Sequence, residues 1–444
     1  MTEVVTRAQA DKLARYLLEE YRACLRPAVD RFRHPWVAPM PLSANGRQYL
    51  EARATGLSML DHAHRLSGSD GFTSGDYSLG LFHHDASESA IELFEHEGFK
   101  AGAAGSLLNL LDCATPDGRV HRVELPHKSR EFEPSKPVIA QYALRATRAM
   151  GVEWAEQHHV FDRALAFIRY TELEYKGLHG LFLTHSSLQS GFDSDLLTAT
   201  LHDKTVEGPD TSAFMALEYD ALAELSVLRG ESGAEFREKA ARLRETLERL
   251  CFYEDDRGGF YVALRWQHGA GALEAEIITA RTASGLQHPV ETWATLFPLY
   301  AGVPSKERAA KIIQRLTDPE KYWANGGVRT HPRDDVFFHQ APRVMLYDHK
   351  KNGRGPVSNW SGPIWVLSNY YLAEGCARYG RMDLARELSL KTAGMLARDL
   401  DVTGKLHECY DDEGRGLWPR GGTFLSWNIL ALTLLRRFAP ELVS

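Results

Sequence analysis

Cysteine is scarce in this chain, and its spacing excludes the usual uses of it. The five residues Cys24, Cys113, Cys251, Cys376 and Cys409 form an odd set with no CxxC pair. That argues against a disulfide framework and a zinc knuckle and fits a reducing compartment. No apolar run approaches the roughly 18 residues a membrane span needs. The first residues carry Glu3 and Arg7 and no apolar leader core; a cytoplasmic protein without membrane contact is expected. Basic charge is not in excess either. A formal net charge of -7 disfavours a general nucleic-acid binder, which needs cations to displace counterions from phosphates. There is no Gly-rich phosphate loop of the P-loop or dinucleotide type, so no nucleotide cofactor is implied. His-Glu-x-x-His is absent, and the adjacent pairs His83-His84 and His158-His159 would point about 100° apart on a helix, a poor arrangement for one ion. Neither metal nor cofactor is expected.

What the chain has is helix. Thr6 and Gln9 are spaced as a capping box ahead of Leu13, Leu17, Tyr21 and Cys24, which recur on one helical face. A second helix is expected over 49–66. Asp85 and Ser87 are placed to cap a helix through Ile91 and Phe94, an apolar run covers 101–111, and Pro137 reads as the first residue of a further helix. The pattern continues over 154–170. Phe214, Leu217, Ala221, Leu225 and Leu228 run to Gly230; a Ser232-x-x-Glu235 box then opens a second run from Phe236 to Leu250. So short a turn makes the two an αα-hairpin. Later helices are expected over 292–299, 305–316, 363–379, 382–396 and 424–435, giving about a dozen in all. Strand content reads as low, with one small hairpin over 258–266. No linker or fixed-period repeat divides the chain, so a single domain over 1–444 is expected.

Between the helices lie long loops, and long loops in a compact domain usually serve function. Two of them pair a carboxylate with aromatic, Gly and small polar residues. One is Gln189-Ser190-Gly191-Phe192-Asp193-Ser194-Asp195; the other is Leu406-His407-Glu408-Cys409-Tyr410-Asp411. Taken alone, each is also ordinary turn chemistry or a solvated acidic run, with Glu413 a competitor for Glu408. A third loop ends in Gly75-Asp76-Tyr77 and reads as a pocket wall.

Four short segments, in order, resemble the clan of inverting glycosidases that includes trehalases and glycoside hydrolase family 63, with its bacterial mannosylglycerate and glucosylglycerate hydrolases. They are Ser190-Gly191-Phe192-Asp193, then Trp360-Ser361-Gly362-Pro363-Ile364-Trp365, Glu408-Cys409-Tyr410-Asp411 and Phe424-Leu425-Ser426-Trp427. Ser135-Lys136-Pro137 resembles the family's Ser-Gln-Pro segment, and 79–85 the end of its N-terminal Trp-Asp segment. The resemblance runs from about residue 76 to the C-terminus. Phe192 stands where the family keeps Trp and Lys136 where it keeps Gln. The Arg near the trehalase Asp motif is replaced, since Asp195, Leu196 and Leu197 follow.

The resemblance implies an all-α (α/α)6 toroid of six helical hairpins, long loops over one mouth, a minor β-hairpin, and residues 1–70 as a helical extension closing the ring. It implies Asp193 as general acid and Glu408 as general base. Inverting hydrolysis sets two such carboxyl groups roughly 6.5 to 9.5 Å apart, leaving room for the attacking water. Asp193 must then stay protonated near neutral pH, which an apolar neighbour such as Phe192 or a like charge such as Asp195 would favour. Trp360, Trp365, Trp418 and Trp427 are candidates to stack on sugar faces or to fill the core. Asp76, Tyr77, Lys136, Gln189, Phe192, Gly362 and Tyr410 complete the binding set. Lys136, Arg415 or Arg420 would suit an acidic aglycone. The expected ligand is a small α-glucoside or α-mannoside, such as glucosylglycerate, mannosylglycerate or a short oligosaccharide; self-association is left open. The competing readings are a trehalase, a toroid sugar epimerase working with paired histidines, and a sugar-binding protein without turnover.

Overall fold

The computed structural model describes residues 5–26, 71–72, 81–112, 114–120, 123–124, 136–184, 187–192, 206–268, 273–277, 279–281, 287–339, 360–418 and 423–443. Among these, helix dominates. Thirteen α-helices run in order: α1 Arg7–Cys24, α2 His83–Leu93, α3 Glu97–Asp112, α4 Ile139–Met150, α5 Val152–Gln157, α6 Val160–Tyr175, α7 Ser187–Ser190, α8 Pro209–Leu228, α9 Ala234–Leu250, α10 Lys306–Leu316, α11 Val366–Arg378, α12 Met382–Thr403 and α13 Leu430–Phe438. None is long and apolar enough to cross a membrane.

Local chemistry explains several boundaries. The Thr6 backbone N–H donates to Gln9 Oε1 at 3.0 Å while Gln9 N donates to Thr6 Oγ1 at 3.3 Å, closing the expected capping box, and Leu13, Leu17, Tyr21 and Cys24 are buried. Ser305 caps α10 through Arg308 N. Pro209 opens α8 at a position where a missing N–H costs nothing. Helices α8 and α9 pack as the expected hairpin, and α11, α12 and α13 follow one another in contact.

Elsewhere tertiary contacts override the local signal. α2 begins at His83, with Phe82 as a cap lacking a side-chain bond. Asp85 instead accepts from Ser426 Oγ at 2.6 Å, and Ser87 Oγ donates to Val138 O. Pro137 lies two residues ahead of α4. The first N–H groups of that helix are met from α8, where Glu218 accepts from Ala140 N at 2.7 Å and Gln141 N at 2.9 Å. The expected helix over 154–170 is broken at His158-His159, since His159 takes the left-handed conformation (φ 51°) between α5 and α6. Gly233, with φ 60°, caps α9, and Ser232 makes only a local turn to Ala234 N. The stretch 292–299 forms two 3-10 turns, Trp293–Thr295 and Phe297–Leu299. α11 starts at Val366 with Trp365 as its cap, α12 reaches Thr403, and a 3-10 turn at Trp427–Ile429 precedes α13.

Strand is also more plentiful than expected. The hairpin expected over 258–266 is not formed in that register: Gly258–Tyr261 pairs with the preceding Phe252–Asp255, while Leu264–His268 joins an antiparallel sheet in the order Leu273–Ile277, Leu264–His268, Val206–Glu207, Leu183–Thr184. One contiguous apolar cluster extends from Leu13 to Phe438. The two ends of the chain meet: α1 packs on α12 and α2 on α13. There Tyr21 OH donates to Ser426 O at 3.0 Å, and Glu92 accepts from Thr433 Oγ1 at 2.7 Å and Arg436 Nη2 at 2.6 Å.

Candidate active site

Four segments distant in sequence converge. Phe192 lies 4.8 Å from the Trp360 ring and 4.5 Å from Trp293, between ring centroids. Trp360 stacks on Trp365 at 4.1 Å with 8° between planes, and Trp427 meets both at 5.9 and 5.3 Å. Immediately beyond Trp360, Ile364 pairs with Tyr410 through backbone bonds of 2.7 and 2.9 Å. That brings the Glu408 loop to the aromatic wall. Leu406 O accepts from Phe424 N at 2.9 Å, which ties the fourth segment to the third.

Two glycines make these approaches feasible. Gly191 has φ +72°, and a Cβ there would lie 2.9 Å from His84 Nδ1. Gly362 has φ +135°, and a Cβ would lie 2.9 Å from both His339 Cε1 and Phe338 Cε2. Any larger residue meets strain and crowding together.

Glu408 is half-buried, and the residues around it are fixed. Asp399, on α12, accepts from His407 N at 3.0 Å, His407 Nδ1 at 2.8 Å and Tyr410 OH at 2.9 Å. Asn428 Nδ2 donates to His407 O at 2.8 Å. Tyr410 is fully buried with its hydroxyl directed into this network, and burial pushes that hydroxyl's pKa up.

On the other side, Gln189 and Phe192 are buried, and Phe192 N donates to Ser190 Oγ at 3.0 Å. Lys136 is buried in an ion pair with Asp210, which is equally buried, and its Nζ sits 4.4 Å from the centre of the Phe192 ring. Arg415 is exposed and paired to Asp411 at 2.7 Å. Trp360, Trp365 and Trp427 are all buried within the contiguous apolar cluster. The backbone of Trp418 pairs with Cys409. Asp76, Tyr77, Asp193, Asp195 and Arg420 lie outside the described residues, as does the helix expected over 49–66.

Sequence reasoning missed three contributors. His84 touches Phe192 at 6.1 Å and Trp427 at 5.4 Å, and burial together with Lys136 holds its ring well below the usual histidine range. Trp293 stacks on Trp360 at 5.8 Å. Asp399 organises the Glu408 loop from a helix whose pattern gives no hint of it. His84 Nδ1, Trp293 Nε1 and Trp427 Nε1 are buried with no hydrogen-bond partner among the described residues. Buried polar atoms of this kind call for an explanation, and a polar ligand supplies one. Two cavities elsewhere, of about 750 and 590 Å³, share no lining residue with this wall; one lies between α1 and α13, the other beside α10. Neither holds any of the converging motifs. Among the described residues no three His, Cys, Asp or Glu side chains group as a metal site.

A carboxylate-bearing loop braced against a cluster of stacked tryptophans, two of them with buried indole N–H groups lacking a partner among the described residues, has the make-up of a carbohydrate site. The chain belongs to the mannosylglycerate hydrolase MGH1-like glycoside hydrolase family, whose domain matches residues 125–427. A mannosylglycerate hydrolase of Thermus thermophilus is 28% identical over 208 residues, 47% of this chain and 40% of that protein. Mannosylglycerate hydrolase MGH1 of Selaginella moellendorffii is 31% identical over 122 residues, 26% of this chain and 22% of the relative. The chain thus spans less than half the length of the curated relatives it matches.

Among solved structures, the GH63 mannosylglycerate hydrolase of Thermus thermophilus in complex with glucose superposes with a TM-score of 0.60 at 21% identity, covering 83% of this chain and 95% of that one. Neutral trehalase from Saccharomyces cerevisiae gives 0.66 at 13% identity, covering 98% and 95%. At such identities the shared property is the fold.

Proposed function

We propose that this chain is an inverting exo-glycosidase acting on a small α-mannoside or α-glucoside, with a mannosylglycerate-like or glucosylglycerate-like compound or a short oligosaccharide as substrate. The observation that carries this reading is the convergence of 189–192, 360–365, 406–410 and 424–428, the third of them the loop that carries Glu408, on one aromatic cluster. Asp193, next in sequence to Phe192, is the general acid that protonates the leaving oxygen. Glu408 is the general base that takes a proton from water as it attacks the anomeric carbon from the opposite face. Trp360, Trp365 and Trp427 form the apolar backing of the sugar site; Lys136, Gln189, Phe192 and Gly362 shape its wall, and Tyr410 fixes the base loop. Asp76, Tyr77 and Trp418 complete the binding set. The seam between α1, α2, α12 and α13 supports a single domain closed as an (α/α)6 toroid, with the N-terminal residues as its last link. The protein works in the cytoplasm and without a cofactor.

The test is incubation with mannosylglycerate, glucosylglycerate and trehalose, reading the anomer of the fresh product by proton NMR. The expected product is the β-anomer of mannose or glucose. Retained configuration overturns the inverting mechanism, and trehalose as the preferred substrate overturns the aglycone assignment. If the protein releases no aglycone but interconverts free sugar epimers, and D193A and E408Q both keep that conversion, paired-histidine epimerase chemistry replaces hydrolysis. Binding of these sugars without turnover by the unaltered protein marks a sugar-binding protein.

A further inference from the structure

We propose that Asp399 is a positioning residue for Glu408, acting on the base through the two residues that flank it; this rests on Glu408 being the general base.

Asp399 lies near the C-terminal end of α12 and is buried. A carboxylate is unwelcome there, because the helix presents partial negative charge at that end. It is compensated from the loop it faces. His407 donates through both its backbone N–H (3.0 Å) and Nδ1 (2.8 and 3.0 Å to the two oxygens), and Tyr410 donates its hydroxyl at 2.9 Å. Thr403 Oγ1 adds a local bond at 3.2 Å. Hydrogen bonds to an ionised acceptor are roughly twice as strong as neutral ones.

The arrangement brackets Glu408. His407 is held through its backbone N–H, its ring and its carbonyl, the last by Asn428 Nδ2 at 2.8 Å. Tyr410 is held through its hydroxyl by Asp399 and through both its backbone groups by Ile364. Only Glu408 and Cys409 lie between the two anchors, and Cys409 is itself buried. Since the carboxylate accepts, the Nδ1 atom of His407 carries the proton, which fixes the ring's orientation beside the base. A displacement of about 1 Å at a catalytic group costs on the order of a hundredfold in rate, so a bracket this short acts on turnover more than on binding.

Asp399→Asn preserves shape but turns one acceptor oxygen into a donor facing other donors. Using whichever of mannosylglycerate or glucosylglycerate the unaltered enzyme cleaves, D399N is expected to lose about tenfold to a hundredfold in kcat while KM stays within about threefold. Amide exchange at 407–410 should accelerate while α8 and α9 stay protected. Y410F, which removes the hydroxyl that donates to Asp399 and accepts from His407 N while keeping the ring, should lower kcat by a smaller factor, and it carries the test should D399N fail to fold. A D399N enzyme with full kcat alongside an inactive E408Q overturns the positioning role and leaves the base assignment standing. An equal rise in KM, or exchange that accelerates throughout the protein, shows a merely structural role and overturns it too. An E408Q enzyme with full turnover overturns the base assignment and the positioning role together.

Discussion

The two sides of the candidate site are built from different forces. The Glu408 side is held by directional bonds: Asp399 gathers donors from His407 and Tyr410, and Ile364 pairs with Tyr410. The Phe192 side is held by volume and buried charge. Phe192 fits between Trp293 and Trp360, with Lys136 over its ring and Asp210 neutralising the lysine. Directional bonds fix an atom's position with little packed mass, so damage there should reach activity first. Packing carries stability and a buried ion pair is costly to break on one side, so damage there should reach folding first.

The sharpest test of the difference is at the carboxylates. E408Q and D193N should each lower turnover by about 10²- to 10⁴-fold, measured by product formation, with E408Q leaving the melting temperature close to that of the unaltered protein. Next comes the charge pair. D210A removes the buried carboxylate paired with Lys136, and a loss of about 3–5 kcal/mol in urea unfolding is expected. The double variant K136M/D210L should recover most of it, because burying a pair of charges costs nearly as much as their attraction returns. If D210A unfolds like the unaltered protein, the contrast between the two sides fails.

A smaller effect is expected from pH on the Phe192 side. Burial raises Glu218, which meets the first N–H groups of α4 beside Lys136, to about 7. The folded protein therefore binds more protons than the unfolded chain between the ordinary glutamate range and pH 7, and stability falls as pH rises through that window. The loss at pH 8 relative to pH 5 is at most about 3 kcal/mol from this group. E218Q should flatten the fall in thermal melts, leaving a slope from Glu374, also raised to about 7 by burial. The smallest effect is Y410F, which removes one hydrogen bond to Asp399 and should cost about 1 kcal/mol; its influence on kcat should exceed its influence on melting.

Much of the helical framework was legible because its signals are local. Thr6 and Gln9 cap α1 through bonds between neighbours, and the apolar spacing of α8 and α9 needs no knowledge of what each packs against. The motif residues were legible too, through their order along the chain. The failures share a cause. Asp85 and Ser87 have the chemistry of caps but are taken up by Ser426 and Val138, and α4 receives its cap from Glu218 on another helix. His158-His159 carries no breaker signal, yet His159 turns left-handed between α5 and α6.

The sequence by itself determined a helix-rich chain, most of its helical segments, and the short motifs that carry the glycosidase resemblance. Those depend on periodicity and on residue types within a few positions of each other. Tertiary structure alone decided that Phe192, Trp360, Trp427 and the Glu408 loop meet at one aromatic cluster, that Lys136 is paired with Asp210, and that Asp399 holds the Glu408 loop. Each is a contact between residues far apart in the chain. Its energy depends on distance and desolvation in the folded state, and no spacing along the sequence encodes either.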